Sequence, residues 1–131
     1  MRGSFDGAIF LAAPRCGSDL TVGFSGEGNA THFGQLTGLA TNCTIFSLGT
    51  SAAPVYDGEA TFTAADGSTV TTTYEGNQAA PVAGIATYST TITVVGGTGR
   101  FADAEGVWTV TGTIDFTTGS IDGQIDGWLA Y

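Results

Sequence analysis

Lysine is absent from this chain of 131 residues, and only three arginines stand against 12 acidic side chains. The resulting net charge of −9 at pH 7 opposes binding to nucleic-acid phosphates and to anionic membrane surfaces, so we expect neither as a partner. Charged residues make up only 11% of the chain, which argues against an acidic disordered tail. The length suits one domain with one core, over residues 1–131.

Histidine and cysteine are also scarce: His32 is the single histidine, and Cys16 and Cys43 are the two cysteines. Without a CxxC pair or a histidine cluster, the sequence predicts no metal site. The two cysteines either form a disulfide, which would tie the segment after the first strand to the third strand, or stay separate as buried thiols. We favour the disulfide, because a lone pair in an exported chain usually forms one.

Low charge and abundant glycine and threonine are typical of an exported bacterial protein. We therefore expect a secreted or periplasmic protein whose leader is missing from this chain. A cytoplasmic location is expected instead if the protein serves a biosynthetic cluster.

Long apolar runs are missing, and none approaches the roughly 20 residues of a membrane helix. No helix of ordinary length is predicted either, because period-two alternation recurs throughout and is broken by Gly, Asp-Gly and Pro. The predicted strands are 4–12, 20–27, 30–39, 43–49, 55–64, 68–76, 84–95, 106–117 and 120–130. Since 30–39 and 43–49 can be one long strand bent at Gly38, we expect eight strands.

The alternation separates an apolar face from a polar face in each strand. Between residues 108 and 116, for example, apolar side chains and glycine alternate with Thr109, Thr111 and Thr113. Such faces fit an antiparallel meander, and so many strands need closure or a second sheet. Closure is favoured because no long Greek-key connection is apparent and the apolar faces carry glycines, which suit tight coiling. The prediction is an all-β fold, an eight-stranded antiparallel up-and-down β-barrel.

One segment is specific enough to indicate a family: Gly-Gly-Thr-Gly-Arg-Phe-Ala-Asp-Ala-Glu-Gly at 96–106, preceded by Thr-Ile-Thr-Val-Val at 91–95. It resembles the Gly-Gly-Thr-Gly-Arg-Phe-x-x-Ala-x-Gly segment of the allene oxide cyclase/dirigent superfamily. The segments 112–115 and 123–127 resemble that family too, and 29–37 is similar to a segment of small exported bacterial relatives.

This resemblance implies an eight-stranded barrel with an apolar lumen, often in a homodimer or homotrimer. Characterised members include plant cyclases, dirigent proteins that steer radical coupling, and spirotetronate cyclases that fold a polyketide. They use no metal and no organic cofactor, so we expect no cofactor here. No catalytic residue of the family can be matched to a position in this chain.

Six aromatic residues fall on the apolar faces and are the candidates for lining the lumen. They either surround a ligand cavity or simply fill the barrel. A cyclase of this type needs no catalytic triad, because holding a chain in a reactive shape supplies much of the rate. The six residues are Tyr56, Phe62, Tyr74, Tyr88, Trp108 and Phe116.

Two polar side chains are candidates for ligand contacts, each with a structural alternative that we favour. Arg100 either holds an anionic group at the barrel mouth or pairs with Asp103 or Glu105. His32 either acts as an acid or base near neutral pH or makes a structural hydrogen bond near the 29–31 turn.

The acidic side chains give no clear site. Glu27, Glu59 and Glu75 fall on polar faces and are expected in solvent. Asp115, Asp122 and Asp126 lack the spacing of a calcium loop.

Two functions follow as hypotheses. The first is a small-molecule-binding barrel with an apolar lumen, extending to a cofactor-free cyclase that shapes a polyene or polyketide-type substrate. The alternative is an exported structural or interaction protein with a packed barrel and no ligand.

Overall fold

The fold is described by a computed structural model over residues 1–45 and 49–131. Each strand pairs antiparallel with the next along the chain, and the last pairs with the first, which closes a barrel. The predicted all-β, eight-stranded, up-and-down barrel is therefore confirmed. The strands are β1 (Arg2–Leu11), β2 (Leu20–Ala30), β3 (Gly34–Thr44), β4 (Ala53–Thr63), β5 (Thr69–Gln78), β6 (Ile85–Gly97), β7 (Glu105–Asp115) and β8 (Ser120–Ala130).

The separate strand expected at 43–49 is wrong. The alternative of one long strand is confirmed from Gly34 to Thr44, whereas Ala30 ends β2 and residues 31–33 form a turn. β2 and β3 pair without interruption from Leu20 opposite Thr44 to Ala30 opposite Gly34, so Gly38 does not end a strand. Residues 46–48 of that prediction lie outside the described residues.

Glycines on the inner face make room for aromatic rings, as the composition suggests. A β-carbon added at Gly123 would lie 2.4 Å from the ring of Phe5 and 2.8 Å from the hydroxyl of Tyr88. Neither ring could keep its place beside a larger residue at 123, so the glycine allows both to occupy the interior.

One end of the barrel is closed by aromatic packing around a short 3₁₀ turn, Gly99–Phe101. Phe101 is fully buried, and its ring centroid lies 5.1 Å from that of Phe33. Phe33 in turn contacts Trp108 edge to face, with centroids 6.5 Å apart. The turn lies in the connection from β6 to β7, and its buried Phe101 ring covers this end of the core.

Cys16 and Cys43 form a disulfide with their Cα atoms 5.7 Å apart, which confirms the predicted pairing. The bond ties the loop after β1 to the outer side of β3. Arg15 strengthens the same attachment, because its guanidinium donates to the carbonyls of Thr41 and Asp57 at 3.0 and 2.6 Å. A disulfide is compatible with an oxidising compartment.

Candidate functional site

The barrel lumen contains a half-open cavity of about 90 Å³. Aliphatic side chains from β3 to β8 form much of its wall, including Leu36, Val55, Ile92 and Val110. The remaining surface is mostly aromatic. The rings that line it belong to Phe5, Phe24, Phe62, Tyr74 and Tyr88.

Asn42 and Tyr74 form a buried polar pair on this wall. The Tyr74 hydroxyl donates to Asn42 Oδ1 at 2.9 Å, and Asn42 Nδ2 donates to the carbonyl of Cys43 at 3.2 Å. Asn42 is 1% exposed and Tyr74 8%. Burial raises the pKa of the Tyr74 phenol, so this group stays protonated at neutral pH and acts as a hydrogen-bond donor rather than as a base.

Tyr88 and Thr90 are the next polar groups on the cavity, and both donate to backbone carbonyls. The Tyr88 hydroxyl donates to the carbonyl oxygen of Asp122 at 2.6 Å, and the Thr90 hydroxyl donates to the carbonyl oxygen of Val110 at 3.5 Å. Burial also raises the pKa of the Tyr88 phenol. Because these hydroxyl protons point to protein acceptors, the cavity presents a largely apolar surface to an occupant.

The six predicted lumen residues divide into three groups. Phe62, Tyr74 and Tyr88 line the cavity. Trp108 is buried in the core beside it, with its ring centroid 5.7 Å from that of Phe62, and Phe116 is a partly buried residue that packs against the same core.

Tyr56 is the third group, and its predicted place in the lumen is wrong. A bulge in β4 inserts one extra residue between Val55 and Gly58, which shifts the alternation by one position. The Tyr56 hydroxyl instead donates to the carboxylate of Asp19, in the loop after β1. That hydrogen bond raises the pKa of the Tyr56 phenol.

Arg100 and His32 lie at the closed aromatic end, away from the cavity lining. Arg100 forms an ion pair with Asp66 at 2.8 Å, so the partners expected at Asp103 or Glu105 are wrong. Pairing of β5 with β6, which sets Val70 opposite Gly97, brings the β4–β5 turn next to the 3₁₀ turn. The local sequence does not reveal this contact. The exposed His32 Nδ1 lies 3.2 Å from the hydroxyl of Tyr131.

The acidic side chains stay outside the lumen. Glu27, Glu59 and Glu75 are exposed, as predicted. Asp115 and Asp122 accept hydrogen bonds from the hydroxyls of Thr117 and Thr113. The hydrogen bonds from Thr117 lower the pKa of Asp115. Over residues 1–45 and 49–131, no three histidine, cysteine or acidic side chains are placed to hold a metal ion.

Phe5, Phe24 and Asn42 are cavity residues that the sequence analysis did not name, and Asn42 is the polar one. Its signal is a polar side chain in the inward register of β3, where Leu36, Gly38 and Ala40 precede it at every second position. A buried amide in an apolar row implies a buried partner, which here is Tyr74.

Comparison with protein-family models, curated proteins and solved structures found no match to this chain. The superfamily resemblance therefore stays a prediction from the sequence. Within the described part of the chain, no helix is both long enough and apolar enough to span a membrane.

Proposed function

We propose that this protein is a small-molecule-binding β-barrel whose lumen holds a compact apolar molecule. The observation that supports this most directly is the aromatic cavity in the middle of the barrel. Its hydroxyl donors are already engaged by Asn42 and by backbone carbonyls, so an occupant gains mainly from apolar contact.

The volume limits the size of the occupant. Ordinary ligand pockets measure roughly 300–1,000 Å³, whereas this cavity holds about 90 Å³. Shaping a polyene or polyketide-type chain in a cyclase reaction would require the lumen to widen several-fold. We therefore propose binding of a molecule of a few carbon atoms, up to one small ring.

The alternative function, an exported barrel without a ligand, is favoured by the same small volume. In that case the apolar interior serves stability alone, and the function lies on the outer surface or with a protein partner. The two proposals differ in whether the cavity takes up an apolar probe.

Xenon is a suitable probe, because it enters dry apolar cavities without needing a hydrogen bond. We expect xenon to bind in the lumen, detected by 129Xe NMR and by density in xenon-pressurised crystals. Ala60→Leu should abolish this binding, because Ala60 is buried and lines the cavity. Thr111→Leu places the same side chain on the exposed face of β7 and should leave binding intact. Absence of xenon from the wild-type lumen would reject lumen binding and favour the ligand-free barrel.

A further inference from the structure

Among residues 1–45 and 49–131, buried side chains cover the cavity toward both ends of the barrel. At one end Phe33, Val70 and Phe101 are at most 2% exposed. At the other end the side chains of Thr44, Ala53 and Ala86 are buried. A ligand that enters from either end would have to displace tightly packed side chains.

The wall between β2 and β3 is thinner. Gly26 and Gly38 face each other directly across these two strands, both at inward positions, so neither residue adds an inward side chain to the wall there. The cavity is bounded at this point by the two glycines together with their outward neighbours Ser25 and Leu39. Opposite walls instead carry large inward side chains such as Ile114 on β7.

A shallow, open groove lies on the outside of the same wall and crosses β1 to β4; we call it the outer groove. Its floor includes Ser25, Gly26, Gly38 and Leu39, the same four residues that bound the cavity. At the glycine pair the wall itself is therefore only the backbone of two hydrogen-bonded strands, with the rings of Phe5 and Phe62 on its inner side.

We propose that ligands reach the lumen through the barrel wall at the Gly26–Gly38 pair, from the outer groove. This proposal rests on the proposed function, since it concerns access to the same cavity. Opening the wall there breaks a few backbone hydrogen bonds but separates no interlocked side chains at the glycine pair. Local openings of this kind need less free energy than global unfolding.

Two aromatic rings would form the inner side of this opening. A β-carbon added at Gly26 would lie 3.1 Å from the ring of Phe5, and one at Gly38 would lie 3.2 Å from the ring of Phe62. Both rings therefore rest against the glycine wall, and both line the cavity. Rotation of either ring away from the glycines would clear a path inward.

The proposal is tested by clamping the wall and measuring how fast xenon exchanges with the lumen. Ser25→His with Leu39→His places two imidazoles on outward, directly opposite positions, where a bound Zn²⁺ holds β2 to β3. Ser89→His with Thr111→His is the matched control, because these exposed residues are opposite each other on β6 and β7. Exchange is followed by 129Xe saturation transfer with zinc, and again after removal by EDTA.

We expect zinc to slow xenon exchange by at least about tenfold in the β2–β3 clamp, an added barrier of about 1.4 kcal/mol, with recovery in EDTA. The β6–β7 clamp and the wild-type protein should change little with zinc. Equal slowing in both clamps, or none in the β2–β3 clamp with zinc bound, would overturn access through this wall while leaving lumen binding intact. If zinc does not bind the histidine pair, a disulfide clamp takes its place. Ser25→Cys with Leu39→Cys is then compared with the control Ser89→Cys with Thr111→Cys, and each disulfide is verified by mass spectrometry. No xenon in the wild-type lumen would reject both proposals.

Discussion

At the scale of single residues, the hydrogen bond from Tyr74 to Asn42 places an amide in an apolar interior. We predict that Tyr74→Phe lowers the free energy of unfolding by about 1–3 kcal/mol, because it leaves a buried acceptor without its donor. The substitution removes one oxygen and keeps the ring, so packing changes little. Urea unfolding followed by circular dichroism measures the difference.

Two further variants distinguish this cause from a general loss of packing. Asn42→Leu combined with Tyr74→Phe removes both partners, and should cost less than Tyr74→Phe alone. Tyr131→Phe removes a hydroxyl from a side chain that is 54% exposed, and should change stability by less than about 0.5 kcal/mol. A double variant at least as unstable as Tyr74→Phe alone would contradict the role assigned to the pair.

At the scale of a strand, the bulge in β4 brings Gly58 close to β5. A β-carbon at 58 would lie 2.5 Å from the carbonyl oxygen of Tyr74 and 2.6 Å from its ring. We predict that Gly58→Ala destabilises the protein by about 1–3 kcal/mol, since backbone and ring must both move. Gly96→Ala is the matched control, because nothing lies within 4 Å of its added β-carbon. Thermal unfolding of both variants checks the prediction, and equal losses would contradict it.

The same bulge shows how much of the fold and of the candidate site can be predicted from the sequence. Alternation predicts the strands, and Asp66-Gly67 and Gly119 mark hairpin turns whose glycines have φ of +87° and +74°. No residue pattern in the sequence indicates the extra residue in β4, so the alternation predicts Tyr56 on the wrong face. The partner of Arg100 was missed for a related reason, because Asp66 reaches it only through the pairing of β5 with β6. The cavity volume depends on barrel radius and stagger, which alternation does not determine.

At the scale of the whole molecule, 12 acidic side chains repel one another with only three arginines present. Across residues 1–45 and 49–131, the ion pairs are Arg2 with Asp126 and Arg100 with Asp66.

Lowering the pH would relieve the repulsion, but it also removes stabilising contacts. Hydrogen bonds from Ser68, and then the Arg100 guanidinium, lower the pKa of Asp66 in the folded state. The contribution of Asp66 to folding stability is present above its pKa in the unfolded chain, about 4, and is lost as the pH falls through its lower pKa in the folded protein.

Salt separates the two effects, because it screens repulsion between exposed charges without protonating a carboxylate. We predict that the Tm at pH 7 rises when NaCl is increased from about 0.02 to about 0.5 M, which shortens the Debye length from about 20 to about 4 Å. Near pH 4, where about half of the carboxylates are protonated, the same increase should raise the Tm much less. Differential scanning calorimetry at both pH values provides the measurement. A Tm at pH 7 that stays constant or falls with salt would mean that local attractive pairs outweigh the net charge of −9.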